Sequence, residues 1–277
     1  EARAWYEVDN GEAMTFAEVK QRVDLMAAGL TAAGIEKGDR IGVLGKNSAE
    51  YFLLYGAAAA VGAVMLPINW RLSADEVCFN LNDCSPRFMF ADAEFQQMIQ
   101  DRLMDLPSLQ KCYNLKTDQG DFGAFASLME AGVQTDGSPA ENKDGFVIIH
   151  TAAVAGRPRG ALLSHANLLC AGLHLDYYFG LSEKDVHLNL LPMFHVSGLF
   201  MAAAAFLAGA VNVNVSRFDA EKAVDLIEYF QVSLLFDFPP ILASLIKAAK
   251  EKSRKLSTLR AVVGLGTTLA AAIVFLP

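Results

Sequence analysis

The sequence predicts an α/β protein built on mostly parallel strands that helices connect. Short apolar runs, typical of strands buried on both faces, alternate along the chain with longer segments that carry helix caps. Of the 277 residues, 53% are hydrophobic and 19% are charged, against roughly 25% charged residues in an average soluble domain. Because strands joined by helices pair in parallel with right-handed crossovers, the pattern predicts a doubly wound sheet whose two faces are covered.

In the first half of the chain, two capping boxes mark the beginnings of helices. Thr15 and Glu18 open a helix that Gly34 ends, and Ser73 and Glu76 open a short helix that stops before a proline. The other predicted elements are a strand at 40–44, a helix from Asn47 or Ser48 to Gly62, a buried strand at 63–69 and a strand at 87–90.

Residues 118–144 are rich in acidic side chains and glycine, which predicts surface loops around one short helix. We place the internal boundary here, with a first subdomain over 1–140 and a second over 141–277, although the two sheets can share strands. The second half is predicted to contain strands at 146–150, 186–191, 210–215, 233–236 and 261–263. Its predicted helices are 165–179, capped by Ser164, 199–207, a helix capped by Asp219 that runs to Phe230, and one from Pro240 onward.

The charge balance argues against nucleic acid and anionic membrane surfaces as main partners. The chain has 23 Lys+Arg and 31 Asp+Glu, a net charge of −8, whereas those partners are bound by clustered positive charge. Two stretches, 51–70 and 188–216, are long enough for a membrane span and carry no charge apart from His195. Glycine or proline interrupts both and neither has a basic flank, so buried helices and strands explain them better. A membrane protein is kept as an alternative.

The cysteines and the chain ends bear on the cellular compartment of the protein and on whether the sequence is a fragment. Cys78, Cys84, Cys112 and Cys170 show no C-x-x-C spacing, which predicts reduced thiols in a cytoplasmic protein. No basic segment followed by an apolar core, the pattern of a signal peptide, begins the chain. The chain starts with glutamate and stops within an apolar run, so we interpret it as a fragment. The oligomeric state is left open, with a homodimer among the options.

The sequence does not match most of the standard catalytic, nucleotide-binding and metal-binding motifs. The segment 45–48 lacks the upstream glycine of a P-loop, which would fall at Arg40, and the segment 264–266 has Leu269 in place of the third glycine of a dinucleotide fingerprint. Ser197 lacks the flanking glycine of a nucleophile elbow. The histidines show no H-x-x-x-H pair, which predicts no metal site.

One segment carries a candidate anion site. A buried strand leads into a loop of small residues with Gly156, Arg157, Arg159 and Gly160, and a helix follows. The backbone N–H groups of such a loop, with a nearby cation, can cradle a polyphosphate. An ordinary basic surface turn has the same composition and is more common, so the residue types alone leave both interpretations open.

This segment resembles the phosphate-binding loop of the adenylate-forming superfamily, which includes acyl-CoA synthetases, luciferases and peptide-synthetase adenylation domains. That signature is Thr-Ser-Gly-Thr-Thr-Gly-Lys-Pro-Lys-Gly, then Val, two hydrophobic residues and Ser-His. The matching residues are Thr151, Gly156, Pro158, Gly160, Ser164 and His165, with Arg157 and Arg159 at the lysine positions. The block 190–199 is similar to the Leu-Pro-Leu-Phe-His-x-x-Gly block of acyl-CoA synthetases. Further blocks at 15–18, 37–48, 62–72 and 259–263 keep the family's order, so the resemblance covers nearly the whole chain.

The resemblance implies the N-terminal domain of an acyl-CoA synthetase, truncated, with two stacked and mostly parallel βαβ subdomains. It implies an AMP-forming carboxylate–CoA ligase, in which a carboxylate attacks the α-phosphate of Mg·ATP and CoA then takes the acyl group. The implied substrates and cofactors are therefore a carboxylic acid, ATP, Mg2+ and CoA. The family's Tyr-Gly-x-Thr-Glu segment and its C-terminal lid are expected after Pro277. Apolar residues near the 190–199 block favour a fatty or aromatic acid.

The resemblance also implies roles for individual residues. The residues implied to bind the β- and γ-phosphates are Thr151, Ala152, Ala153, Val154, Ala155, Gly156, Arg157, Arg159 and Gly160. His195 is implied to be catalytic, beside the acyl carboxylate, and the acyl pocket is implied to be walled by Phe194, His195, Gly198 and Leu199. Gly264, Leu265 and Gly266 are implied to lie near the adenine. No metal ligand is assigned.

The loop departs from the signature at 152–155, where Ala-Ala-Val-Ala replaces Ser-Gly-Thr-Thr. Each lost hydrogen-bond donor to a charged group costs about 1.5–3 kcal/mol, and Ala153 stands in place of a glycine. The alternative function is therefore a catalytically degenerate member of the family that binds acyl or acyl-CoA ligands without ATP turnover.

Overall fold

The computed structural model describes residues 2–116, 120–130, 140–151, 157–264 and 272–273. In this part of the chain the strands are β1 (Arg3–Glu7), β2 (Ala13–Thr15), β3 (Arg40–Leu44), β4 (Val64–Pro67), β5 (Phe88–Ala91), β6 (Lys111–Asn114), β7 (Gly145–His150), β8 (Gly160–Ser164), β9 (Val186–Asn189), β10 (Val211–Asn214), β11 (Leu234–Asp237), β12 (Ala261–Gly264) and β13 (Ala272–Ile273). The helices are α1 (Phe16–Ala33), α2 (Ala49–Val61), α3 (Ala74–Cys84), α4 (Ala93–Gln100), α5 (Ala126–Met129), α6 (His165–Phe179), α7 (Val196–Leu207), α8 (Ala220–Tyr229) and α9 (Pro239–Glu251).

The predicted α/β class with mostly parallel strands is confirmed. The chain divides into two compact units, one made of Glu1–Phe16 with Cys170–Pro277 and the other of Ala17–Leu169. These divisions differ from the boundary at 140/141, which stays a prediction. Two pairings explain the difference: β1 pairs in parallel with β10, and β7 pairs with β4.

The unit Ala17–Leu169 contains a six-stranded sheet in the order β6-β5-β3-β4-β7-β8. Its strands are parallel except for the β7–β8 hairpin. Ser48 caps α2 by accepting a hydrogen bond from the backbone of Tyr51, and Gly62 ends that helix with φ 70°. The Ser73–Glu76 capping box at the start of α3 is present as predicted. One hydrophobic core of this unit is formed by buried apolar side chains that include Leu44, Leu66 and Leu81.

The other unit contains a seven-stranded sheet in the order β13-β12-β11-β9-β10-β1-β2, antiparallel only at the β1–β2 and β12–β13 pairs. Asp219 caps α8 as predicted. Proline begins α9 one residue earlier than expected, at Pro239. The sequence does not predict the strands β1, β2 and β6 or the eight-residue helix α4. Each is short, and these strands of three to five residues span too few periods to be recognised from the pattern alone.

None of the helices in the described ranges combines the length and the apolar character that a membrane crossing requires. The uncharged stretches 51–70 and 188–216 instead contain α2, β4, β9, α7 and β10. The apolar residues of these stretches belong to the buried core. Examples that are nearly or fully inaccessible to solvent are Leu53, Met65, Leu188, Ala204 and Val213.

Candidate active site

His195 stands at the beginning of α7, where the loop after β9 enters the helix. Its backbone is extended, with φ −112° and ψ 146°, and its side chain caps the helix by accepting a hydrogen bond from the Ser197 backbone N–H. Histidine is an uncommon cap, because Ser, Thr, Asp and Asn usually supply this acceptor. The loop from Leu190 to the cap therefore holds the imidazole at the carboxyl edge of the sheet, where open α/β sheets bind their ligands.

The contacts of His195 define its protonation state. Nδ1 lies 3.3 Å from the Ser197 backbone nitrogen, which donates to it, and 2.7 Å from the Ser197 hydroxyl oxygen. Because Nδ1 accepts a backbone N–H, the neutral imidazole carries its proton on Nε2. Desolvation by the surrounding protein lowers the pKa of His195, which favours this neutral form. The exposed ring thus presents an N–H donor.

Close packing fixes the first turn of α7. A Cβ on Gly198 would collide with the Pro192 carbonyl oxygen and come within 2.7 Å of the Leu191 carbonyl oxygen. Only glycine lets the helix approach this backbone so closely. Further along α7, the side chain of Asn212 donates to the carbonyl of Ala202 at 3.0 Å. The loop and the helix are therefore both held against the sheet.

Behind this helix a buried histidine takes a structural role. His187 Nδ1 lies 2.8 Å from the side-chain oxygen of Asn212, and burial lowers the pKa of His187 to about 4. The neutral ring therefore donates from Nδ1 to the Asn212 side-chain oxygen. Asn212 in turn donates to the Ala202 carbonyl of α7. His187 is 2% exposed.

A row of buried polar side chains crosses three neighbouring strands near the same edge. Asn189 on β9 donates to Asn214 on β10 at 3.0 Å, and Asn214 donates to the carboxylate of Glu7 on β1 at 2.9 Å. The Trp5 indole N–H also faces Glu7, at 3.4 Å. Polar groups in a sheet interior are tolerated because they are bonded to one another, and this row fixes the register of the strand ends.

Asp237 is a candidate site residue that the sequence does not point to. It ends β11, is fully buried, and its Oδ1 accepts the Phe238 backbone N–H at 2.7 Å. Its Oδ2 has no hydrogen-bond partner among the described residues. Burial raises the pKa of Asp237 to about 7. An acidic residue between two phenylalanines at a strand end was the available signal.

The described part of the predicted adenine segment lies beside this carboxyl group. Gly264, at the end of β12, is the register partner of Asp237, while Leu265 and Gly266 lie outside the described residues. The ring of the adjoining Phe238 faces His195 edge-on, with centroids 6.5 Å apart. The structure therefore brings three strand-end features together in one unit: the His195 cap, the buried carboxyl group and the start of the 264–266 segment.

The residues predicted to wall an acyl pocket are mostly part of the core. Phe194 is 9% exposed and Leu199 is 2% exposed, and the backbone at Gly198 is buried against the preceding loop. Phe206 packs on Phe16 with ring centroids 4.9 Å apart. Their role in binding an acyl chain stays a prediction.

The predicted phosphate loop belongs to the unit Ala17–Leu169 and connects β7 to β8. These strands are antiparallel, with His150 opposite Gly160. At the base of the loop, the Thr151 backbone N–H donates to the Arg159 carbonyl at 3.0 Å. Residues Ala152, Ala153, Val154, Ala155 and Gly156 lie outside the described residues. The loop is thus the tip of a hairpin.

This hairpin corrects one expectation of the sequence analysis. The sequence predicts a loop between the strand that ends at His150 and the helix that begins at His165, but Gly160–Ser164 forms strand β8. Its sequence, Gly-Ala-Leu-Leu-Ser, lacks the alternation of apolar and polar residues that marks a strand with one exposed face. Ser164 does cap α6 as predicted, because its hydroxyl accepts the Asn167 backbone N–H at 3.3 Å. A five-residue strand therefore separates the loop from the positive end of that helix.

The two arginines of the loop differ in their surroundings. The Arg157 guanidinium lies over the ring of Phe79, 5.5 Å from its centroid. Arg159 is exposed and forms no ion pair with any residue that the structure describes. Lys46, the other basic residue considered for phosphate binding, is buried and paired with Glu94, which agrees with the rejection of a P-loop there.

A second group of residues missed from the sequence lies at the base of this hairpin. Asp83 and Cys84, at the end of α3, meet His150 at the end of β7. Residues 66 and 67 positions apart give no local spacing motif, so only the fold brings them together.

The fold defines the class first: an α/β protein with two mostly parallel sheets, an arginine-bearing hairpin in one unit and a histidine-capped helix in the other. A model of the family described as AMP-binding enzyme matches residues 1–275. The chain therefore belongs to the AMP-binding enzyme family.

Individual relatives agree with this assignment. The chain is 31% identical over 264 residues to an indoleacetate–CoA ligase from Aromatoleum aromaticum, covering 92% of the chain and 50% of that relative. It is 28% identical over 273 residues to a fatty acid–acyl-carrier-protein ligase from Streptomyces coeruleorubidus, covering 95% and 50%. The chain spans about half the length of the curated relatives it matches.

Among solved structures, the chain is similar to a protein from Rhodopseudomonas palustris CGA009 described as a long-chain-fatty-acid CoA ligase. The two share 37% sequence identity with a TM-score of 0.87, over 96% of this chain and 66% of that chain. The fold expected from the resemblance, an acyl-CoA synthetase N-terminal domain, is confirmed.

Proposed function

We propose that this chain is the N-terminal portion of an AMP-forming carboxylate–CoA ligase. In the first step the carboxylate oxygen attacks the α-phosphorus of ATP, forming an acyl-adenylate and releasing pyrophosphate. In the second step a CoA thiol displaces AMP and leaves the acyl group as a thioester. The observation that carries the proposal is the AMP-binding enzyme match over residues 1–275, which contains both candidate sites.

His195 is proposed to orient the acid. Its Nδ1 is occupied by Ser197, so Nε2–H is the free donor for a carboxylate oxygen. A neutral donor suits this task, because it positions the carboxylate without forming an ion pair that would reduce the nucleophilicity of its oxygen. The rigid turn at Gly198 supports the proposal, since orientation depends on a fixed donor.

The hairpin loop is proposed to hold the β- and γ-phosphates. Its base is closed by the Thr151–Arg159 backbone hydrogen bond, and Arg159 offers an exposed guanidinium that no described residue neutralises. Phosphoryl and adenylyl transfer depend on cations and N–H donors around the leaving pyrophosphate. Mg2+ would enter with ATP and neutralise part of its charge, and we assign no described residue as its ligand.

The relatives support a fatty or aromatic acid as substrate. Their names include ligases for indoleacetate, for fatty acids and for long-chain fatty acids. All four cysteines are free, which agrees with the proposed cytoplasmic location of a CoA-dependent enzyme.

Product analysis with the full-length protein tests the proposal. Incubation with Mg·ATP, CoA and a panel of fatty and aromatic acids is expected to yield AMP and an acyl-CoA in equal amounts with at least one acid. The formation of ADP in place of AMP, or no acyl-CoA from any acid in the panel, would contradict it.

The second candidate is an acyl or acyl-CoA binding protein without ATP turnover. The observation that favours it is the Ala-Ala-Val-Ala run at 152–155, which removes hydroxyl donors from the phosphate loop. Calorimetry separates the two candidates. Heat of binding from an acyl ligand with none from ATP would favour the second, and micromolar ATP binding would favour the ligase.

A further inference from the structure

Three side chains with metal-binding atoms converge at the base of the β7–β8 hairpin. His150 Nε2 lies 3.2 Å from Asp83 Oδ2 and 3.9 Å from Cys84 Sγ, and these last two atoms are 4.0 Å apart. The His150 side chain is 7% exposed, whereas the Asp83 side chain is 43% exposed. The cluster is therefore anchored on a buried imidazole and open to solvent on its carboxylate side.

A catalytic Asp–His–Cys relay does not fit this geometry. A relay needs the carboxylate on one ring nitrogen and the thiol on the other, but here both face Nε2. The remaining atom, Nδ1, has no partner among the described residues. Burial, with a smaller contribution from Asp83, raises the pKa of Cys84 to about 11, so the isolated thiol stays protonated and unreactive at neutral pH.

Convergence of three donor atoms on one point is the geometry that a metal ion requires. Bonds of about 2.0–2.3 Å to Zn2+ place tetrahedral ligand atoms roughly 3.3–3.6 Å apart, close to the separations observed. Gly160 packs against the cluster: a Cβ at this position would lie 2.7 Å from Ile148 Cγ2, 3.5 Å from His150 Nε2 and 3.6 Å from Cys84 Sγ. Any larger residue would place its side chain beside the two donors.

We propose that Asp83, Cys84 and His150 form a binding site for a divalent transition-metal ion of the zinc type, with water as the fourth ligand. The mixed imidazole, thiolate and carboxylate set suits Zn2+ better than Mg2+ or Ca2+, which prefer oxygen ligands. On binding, the Sγ–H bond breaks, a metal–sulfur bond forms, and the proton leaves to solvent.

The position of the site gives it a consequence for the hairpin. Cys84 ends α3, and His150 is the last residue of β7, directly before Thr151 of the phosphate loop. A bound ion would link the helix end to the strand from which this loop begins. Metal binding is therefore expected to stabilise the unit Ala17–Leu169, because a ligand that binds only the folded state raises its stability. The inference does not depend on the proposed ligase activity.

Calorimetry and cobalt spectroscopy on the chelator-treated chain test the site. Titration with Zn2+ is expected to show one ion per chain, with release of about one proton at neutral pH, because a cysteine thiol must lose its proton to bind the ion. Co2+ in the same site is expected to give a thiolate-to-metal charge-transfer band and the intense visible bands of tetrahedral cobalt. No Zn2+ uptake at micromolar concentrations, or a cobalt spectrum without the thiolate band, would overturn the proposal.

Variants on one helix assign the ligands. Cys84→Ala is expected to abolish the thiolate band, and Asp83→Asn, at an exposed position, to weaken Zn2+ binding by at least about tenfold. Cys78→Ala is the matched control, because this half-buried thiol on α3 also has a raised pKa but lies outside the cluster. Unchanged Zn2+ binding in both Cys84→Ala and Asp83→Asn, or loss of the band in Cys78→Ala, would contradict the assignment.

Discussion

Ser197 donates to His195 Nδ1 from its backbone nitrogen, at 3.3 Å, and its hydroxyl lies 2.7 Å from the same atom. Ser197 thus supplies the N–H group of the helix cap, orients the His195 ring and selects the tautomer in which Nε2 carries the proton. In the proposed ligase this leaves Nε2–H directed to the acid, so the chemistry of the site depends on Ser197 as well as on His195.

Replacing Ser197 with alanine tests this relationship. Ser197→Ala removes a hydroxyl whose donation favours the neutral ring, and it is therefore expected to raise the pKa of His195 toward the usual histidine value. Titration followed by NMR of the imidazole protons measures the change. The buried His187 serves as an internal control, and a pKa of His195 that falls or stays constant would contradict the assigned tautomer.

Substitutions of His195 separate its cap from its proposed role as a donor. His195→Asn retains a capping oxygen for the Ser197 N–H, whereas His195→Ala also loses the cap, at a cost of about 1 kcal/mol in stability. In the full-length protein both are expected to reduce acid activation by roughly 10- to 150-fold, the equivalent of a hydrogen bond to a charged group. Thermal unfolding and acyl-CoA formation measure the two effects. Full activity in His195→Asn would contradict the donor role.

The close approach at Gly198 predicts a contrast between two glycine substitutions. Gly198→Ala would drive a methyl group into the carbonyl backbone at 191–192, with an expected loss of roughly 1–3 kcal/mol in the free energy of unfolding. Gly172→Ala, inside α6, meets only the movable end of Leu207, and the gain in helix propensity offsets that contact. Denaturant unfolding compares them, and equal effects would contradict the packing argument.

The buried carboxyl group of Asp237 predicts a pH-dependent effect. Its folded-state pKa of about 7 lies above the usual value, so its contribution is present at low pH and is lost as the pH rises from about 4 to 7. Asp237→Asn removes the ionisable carboxyl group, so the variant does not lose this stability as the pH rises. The difference in unfolding free energy between variant and wild type is expected to grow by roughly 2–4 kcal/mol between pH 4 and 8.

This comparison separates the effect of Asp237 from that of His187, which changes the stability in the opposite direction as the pH rises. His187 has a lowered pKa, so its contribution to stability rises with pH over a window that overlaps that of Asp237. Both proteins contain His187, and its effect cancels in the comparison. A constant difference across this pH range would show that the Asp237 carboxyl is not held in its neutral form.

The sequence predicts the long elements and their ends well, because caps are local signals. Ser48, Ser73 and Asp219 each cap the helix expected of them. Strand β8 is not predicted because its sequence, Gly-Ala-Leu-Leu-Ser, lacks the alternation of apolar and polar residues, and its identity depends on pairing with β7.

The site residues divide in the same way. The sequence predicts His195 and the 151–160 segment as candidate site residues because their motifs are contiguous in the chain. Asp237 and the Asp83–Cys84–His150 cluster were missed because their significance depends on burial and on contacts between distant residues.

The two loop arginines provide a matched pair for nucleotide binding. Arg159→Ala in the full-length protein is expected to raise the KM for ATP by about tenfold or more, since it removes an exposed guanidinium that is proposed to hold the phosphates. Arg157→Ala is expected to have a smaller effect, because that guanidinium lies over Phe79. Steady-state kinetics at saturating acid measure both, and a larger effect from Arg157→Ala would reverse the assignment.

The central claim is that residues 1–275 form the ATP-dependent, acid-activating part of a ligase. Exchange of labelled pyrophosphate into ATP by the full-length protein tests it most directly, because the exchange reports adenylate formation alone and needs no CoA. The account predicts exchange that depends on a fatty or aromatic acid. Acyl-ligand binding by a folded protein that catalyses no exchange with any acid would contradict it.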